Sequence, residues 1–441
     1  MNLDTASQGT IRRFLDDHHA EQIEFLAELI RNPADNPPGD CAPHAEHTAR
    51  LLADRGLTAE CYPVPEELVR KNAMISATNL VVREQFGSGP VVALNAHGDA
   101  VPAGNGWTVD AYGGVIRDGK IYGRGAAGSK SECATYVSAL MALKASGAPL
   151  AGTVELHLTY DEEVSGCIGP KWILDSAISK PDYAICAGFT YFVATGHNGC
   201  LQLEVEIVGN SAHAAIPDSG VDALVATTAV LEALYAHRES YCTVTSSIPG
   251  IDAPTLIVGR IEGGSSTNVV PANVSLRLDR RIIPDEDPAK VEASLRGLIE
   301  ATVKDFPGIE CIITRLLLAE PLVSVAGTAR LADIVARHAS AVIGESIGTY
   351  GVPIFTDARH YSTANIPTVS MVRAREASSN PMSIKLTNMS TSVTLRKPPK
   401  SSPSQSLSYC EVKSSIDLKF AIYILEDVFP CFGVGAKACS T

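Results

Sequence analysis

Basic residues are in short supply: 36 Lys and Arg stand against 49 Asp and Glu, leaving a formal net charge of -13. Such a balance argues against nucleic acid or an anionic membrane as partner, because both need a basic face. Uninterrupted apolar runs are also missing, and no stretch approaches the roughly 20 residues of a membrane-spanning helix. The start, MNLDTASQGTIRRFLDDHHAEQ, has acids and no apolar core, so no secretory signal is expected. The 11 cysteines include no CxxC pair and their number is odd. Reduced, largely buried thiols and a cytoplasmic setting fit this better than a disulfide framework or a structural zinc. What is present is an ordinary globular composition, 45% hydrophobic and 19% charged, over 441 residues. That length predicts about two domains.

Residues 10–35 and 43–55 carry helical periodicity. GPVVALNAHGD reads as a buried strand, and a turn-rich segment from Gly104 to Gly125 follows it. SKSECATYVSALMALKASG then reads as a helix stopped by Gly. Strand TVELHLTYDEE, helix GPKWILDSA and strand DYAICAG continue the alternation, which predicts a mixed, largely parallel sheet flanked by helices, an α/β fold. Such sheets place their chemistry at the carboxyl ends of strands, where the HGD and DEE clusters fall. From about residue 197 the pattern changes to one-sided alternating strands (LQLEVEIVG, TLIVGRIEGG, NVSLRLDRRII) with helices VDALVATTAVLEALYAHRE and DPAKVEASLRGLIEATVKDF. The expected organisation is therefore a discontinuous catalytic domain, 1–196 plus 313–372, with an α+β domain inserted at 197–312 and a separate tail at 373–441.

His97 and Asp99 form an H-x-D at a strand end, on the same side of an extended segment. The acid there could hold the imidazole tautomer while the other ring nitrogen binds a metal, and a structural histidine is the ordinary alternative. Asp161, Glu162 and Glu163 end the next strand. A solvated acidic cap is their ordinary role; a metal ligand beside a general base is the chemical one. For both glutamates to serve one site a turn has to begin there, since neighbours in a strand point opposite ways.

NAHGDAVPAG followed by GW, then DGKIYGRGAA, TYDEE, PDYAI, GHNG, SAHAA, TNVVPANVSLRLDRR and TDARHYSTANIPTV, resembles the M20 family of two-metal amidohydrolases and peptidases in order and spacing. The resemblance spans roughly residues 10–372. It implies a zinc-peptidase-like catalytic domain and an inserted domain that serves as lid and homodimer interface. It further implies one or two zinc, cobalt or manganese ions, and a small N-acyl amino acid, dipeptide-like or other amide substrate. By that resemblance His97 and Glu163 are metal ligands, Asp99 orients His97, and Glu162 is the general base. His213 matches a histidine that reaches the partner subunit's active site, Asn268 a substrate-binding position, and Asp357 with Arg359 the pocket floor.

The sequence departs from the family at three ligand positions. Gly128 stands where the bridging Asp belongs, Gly188 where a further acid belongs, and no His follows His360. Glu132, four residues after Gly128, is the expected surrogate ligand, with His197 and Cys186 as other nearby donors. A helix-dipole partner is the ordinary role for Glu132. These losses leave open a catalytically silent relative; a cysteine hydrolase using Cys133, Cys167 or Cys186 is the weaker alternative. The tail carries a further anomaly. PMSIKLTNMSTSVTL, read back into codons and shifted by one base, gives HVDQAHEHVDLGDL, which resembles a family ending. A frame change near Val372 is expected, and the underlying DNA tests it.

Overall fold

The computed structural model describes residues 5–188, 190, 192–371 and the backbone of 409–411. The rest of the tail expected at 373–441 lies outside the described residues. The chain divides into two compact units, the first Met1–Val193 with Ala326–Gly348 and Ala364–Thr441, the second Ala194–Val325 with Thr349–Thr363.

In the first unit six strands run side by side in the order Ala59–Pro63, Thr78–Gln85, Thr153–Thr159, Val91–His97, Tyr183–Cys186, Thr368–Ser370. The last four are mutually parallel, and the first two are antiparallel additions at one edge. Strand Val91–His97 is buried from Val92 onward. Coverage of both faces explains why it reads as a continuous apolar run and not as an alternation. Helix Lys130–Ser146 packs against helices Thr5–Asp17 and His19–Arg31 as well as against Val91–His97 and Thr153–Thr159. It is therefore buried around most of its circumference, by Cys133, Ala134, Val137, Leu140 and Leu143 among others. Gly147 ends it in the left-handed region at φ +61°, the helix stop read from the sequence. The helical periodicity at 10–35 is carried by two helices, with a break around His18. The turn-rich stretch contains the short hairpin Val115–Arg117 and Lys120–Tyr122, whose second strand pairs with Tyr409–Glu411.

The second unit holds a four-stranded antiparallel sheet in the order Thr255–Gly263, Asn273–Ile282, Gly199–Val208, Glu310–Ala319. Leu201, Leu203, Val205 and Ile207 are fully buried while Gln202, Glu204 and Glu206 point away, the alternation of a one-sided sheet. Its core is completed by helices Ala223–Glu239 and Pro288–Val303. Asp222 and Asp287 cap these helices by accepting from two backbone amides each, and Pro288 occupies a first-turn position. Strand Glu310–Ala319 runs across the boundary expected at 312/313, pairing with Gly199–Val208 along its length. Among the described residues no helix is long and apolar enough to cross a membrane.

Candidate active site

Parallel pairing sets His97 directly beside Thr159, the last residues of neighbouring strands. Three residues past Thr159 is Glu162, so the register alone carries the DEE cluster to the histidine. The turn required by the sequence is present. Asp161 is 1% exposed, and its backbone oxygen accepts from the amides of Val164, Ser165 and Gly166 while its Oδ2 accepts from Ile168 N at 2.7 Å. Asp161 is thus the organiser of the 161–168 turn, not a solvated cap. Folding the chain back there brings Glu162 and Glu163 to one side.

His97, Glu162 and Glu163 each offer a ligand atom, and these atoms all lie within 4.8 Å of one another. His97 is buried, with Nδ1 3.2 Å from Asp99 Oδ1 and Nε2 3.8 Å from Glu162 Oε2. Asp99 is fully buried, and its second oxygen accepts from Glu163 N at 3.2 Å and from Asn36 Nδ2 at 3.0 Å. One carboxylate therefore fixes the imidazole and the Glu163 backbone together, leaving Nε2 facing the glutamates. Burial disfavours the imidazolium, yet Glu162, Asp99 and Glu163 outweigh it and hold His97 well above the ordinary histidine range. Glu163 is pushed up by burial, against the pull of His97 and with Asp99 adding repulsion. Two half-buried carboxylates beside a third acid need a positive charge among them. This donor set fits one divalent ion, with nitrogen and oxygen ligands suited to zinc, cobalt or manganese.

A second ion finds less. Gly128 offers no side chain, and Ser129 after it turns its Oγ to accept from His97 N at 3.1 Å. At Gly188 an added Cβ would lie 2.2 Å from Ser370 Oγ, which itself donates to Ala187 O at 2.8 Å. Glu132 is buried in the first turn of its helix, accepts from Ser131 Oγ, and is not part of the three-residue donor group. His197 is held through both ring nitrogens by the backbone of Asn198, Leu322 and Thr356, and burial, with Arg359, pushes it down to about 3. It is a neutral structural histidine in the second unit. Cys133 donates to His97 O at 3.6 Å, and burial pushes its thiol up, away from the nucleophilic thiolate. Cys186 is buried and Cys167 partly so, neither in a disulfide.

The second unit brings together two residues far apart in sequence. His213 forms an isolated bridge with Val269, and Ala214 N donates to Asn268 O at 2.9 Å, so His213 and Asn268 are exposed neighbours. Asp357 and Arg359 are buried, and Arg359 donates to Thr356 O at 2.6 Å and lies over the Phe355 ring.

Two supports escaped sequence reading. Asn36, in a Pro-rich stretch, is the amide behind Asp99. Tyr160 is buried with its hydroxyl 3.3 Å from both Thr48 Oγ1 and His44 Nδ1, and His44 Nε2 lies 3.1 Å from Lys130 Nζ. Burial pushes Lys130 down to about 8. Local sequence signals neither role, since Asn36 lies between Asp35 and Pro37 and Tyr160 between Thr159 and Asp161.

The Peptidase family M20/M25/M40 profile matches residues 93–383, well over half of the chain. The chain is 31% identical over 266 residues to an acetylornithine deacetylase of Myxococcus xanthus, covering 59% of this chain and 68% of that one. It is 28% identical over 292 residues to a succinyl-diaminopimelate desuccinylase of Rhodospirillum centenum, covering 64% and 72%. Its fold is similar to that of a dinuclear metal binding peptidase of the M20 family from Bacillus subtilis, with a TM-score of 0.63 and 16% identity over 94% of this chain and 99% of that one. The hydrolase relatives, the α/β sheet and the clustered His97, Glu162 and Glu163 agree: this chain is a member of peptidase family M20.

Proposed function

We propose that this chain hydrolyses the amide bond of a small N-acyl amino acid or dipeptide-like substrate, using one divalent ion held by His97 and Glu163 with Glu162 as general base. The observation that carries the reading is the donor group His97, Glu162 and Glu163 backed by Asp99. When bound, a zinc, cobalt or manganese ion supplies a Lewis acid that polarises the substrate carbonyl and makes water easier to deprotonate. Asp99 keeps the His97 Nδ1 occupied, so that Nε2 serves the ligand role. Glu162 takes the proton from the attacking water and returns it to the leaving amine nitrogen. Glu163, tied to Asp99 through its backbone, keeps its carboxylate in place. The names of the relatives, a deacetylase and a desuccinylase, support an acylated amino acid as the substrate class.

The finer expectations from the family belong to the same proposal. The second unit mediates a homodimer in a cytoplasmic enzyme, and His213, with Asn268 beside it, serves substrate in the partner subunit's active site. The exposure of both residues supports this, as do exposed Ile257 and Ile261 on the edge strand Thr255–Gly263.

Metal content and hydrolysis of a panel of N-acetyl and N-succinyl amino acids and dipeptides test the reading. About one ion per chain with hydrolysis abolished by EDTA supports it. Gly128 and the packing of Gly188 against Ser370 favour a second reading, a silent family member. Purified chain that takes up no ion and hydrolyses nothing decides for that alternative.

A further inference from the structure

Asn36 is completely buried, 63 residues away in sequence from the acid it touches. Its Nδ2 donates to Asp99 Oδ2, the same oxygen that accepts from Glu163 N. Its Oδ1, by contrast, is buried without a hydrogen-bond partner. An amide placed for packing alone would be replaced at no loss by an apolar side chain, since a buried acceptor left unpaired costs free energy. The position therefore uses the donor.

The surroundings hold it there. Asn36 N donates to Ala100 O at 2.9 Å and Ala100 N to Ala34 O at 3.0 Å, so the 34–36 segment is zipped to the residues that follow Asp99. Tyr112 extends the clamp, donating to Asp35 Oδ2 at 2.6 Å and accepting from Ala103 N at 3.2 Å. Gly39 leaves the room: a Cβ there would fall 2.9 Å from Asn36 Oδ1.

We propose that Asn36 is a positioning residue that orients the Asp99 carboxylate, and through it His97 and Glu163, for metal binding. The Asp99 carboxylate accepts from Asn36 Nδ2 and Glu163 N through Oδ2 and faces His97 Nδ1 through Oδ1, so both of its oxygens are committed. Without Asn36 the carboxylate can rotate about its last bond, and the imidazole and the Glu163 backbone lose their common reference. This inference rests on the metal reading proposed above.

The test is titration of the chelator-treated full chain with Co2+ alone, followed by its visible absorption spectrum. Loss of such a partner weakens metal affinity about 10–100-fold. Asn36→Ala is expected to show that loss and an altered cobalt spectrum while the metal-free protein melts cooperatively. If Asn36→Ala does not fold, Asn36→Asp, of nearly equal volume, replaces the donor by an acceptor and is expected to show the same loss. In an Asp99→Ala background the Asn36→Ala change is expected to have no additional effect on cobalt affinity. Cobalt binding unchanged from wild type in Asn36→Ala, or a full additional loss in the Asp99→Ala background, overturns the role of Asn36 while leaving the metal reading intact. Wild-type chain that takes up no cobalt overturns both.

Discussion

Gly98 sits between His97 and Asp99, and an added Cβ would lie 2.4 Å from Tyr160 Cε1, 3.0 Å from Cζ and 3.1 Å from Cδ1. Ordinary contact begins near 3.4 Å, so Gly98→Ala forces a relative movement of about 1 Å. The ring has little freedom to supply it. Tyr160 is 1% exposed and tied at its hydroxyl to Thr48 and His44. The displacement is therefore expected to fall on the 97–99 segment and to pull Nε2 of His97 away from Glu162 and Glu163. Overpacking of this kind costs about 1–3 kcal/mol, and a misplacement of about 1 Å at a catalytic group costs on the order of 10²-fold in rate. Thermal unfolding and Co2+ affinity measure the two effects separately from activity. Combining Gly98→Ala with Tyr160→Leu is expected to recover part of the loss, with a coupling of about 0.5–3 kcal/mol. A Gly98→Ala chain as stable as wild type within about 0.5 kcal/mol, with unchanged cobalt affinity, refutes the argument that Tyr160 braces this segment.

Glu162→Gln is expected to reduce hydrolysis about 10²–10⁴-fold while the purified chain keeps its bound metal; hydrolysis near the wild-type rate excludes Glu162 as the base. Gly188→Ala, with its Cβ 2.2 Å from Ser370 Oγ, is expected to destabilise by about 1–3 kcal/mol. Adding Ser370→Ala should restore most of that, because the next atoms lie at 3.4 Å; a double variant no better than Gly188→Ala contradicts the packing account. Burial opposes the charge on Glu155, but His157, Ser179 and Arg83 outweigh it and pull the carboxyl from 4.5 down to about 2. A depressed carboxyl stabilises the fold above its ordinary value and loses that contribution as pH falls from 4.5 toward 2. Glu155→Gln should therefore show a flatter decline of stability over that window, and an unchanged acid limb in denaturant titrations counts against the assignment.

How much could be read from the sequence follows from the range of each interaction. Strand Val91–His97, helix Lys130–Ser146 with its Gly147 stop, and the alternating strands of the second unit were legible, because periodicity and caps are local properties of the chain. Helical periodicity over 10–35 was legible, but its division into two helices was not, since a break at His18 carries no Gly or Pro signal. His97, Asp99, Glu162 and Glu163 could be named from motif order, and the need for a turn after Thr159 from the parity of strand side chains.

The sequence by itself thus determined which chemistry is available: the family, the acids and histidine at strand ends, and the loss of side chains at Gly128 and Gly188. Tertiary structure alone decided how those groups meet. Pairing of His97 with Thr159 depends on the register of two strands separated by a whole helix. The folding back of Asp161 onto Ile168 sends Glu162 and Glu163 to the same imidazole, and leaves Glu132 outside their group although helical spacing had nominated it. The bracing by Asn36 and Tyr160 is likewise invisible in one dimension. Their partners are 63 and 112 residues away, and contacts across such distances follow from packing of the whole unit, not from local pattern.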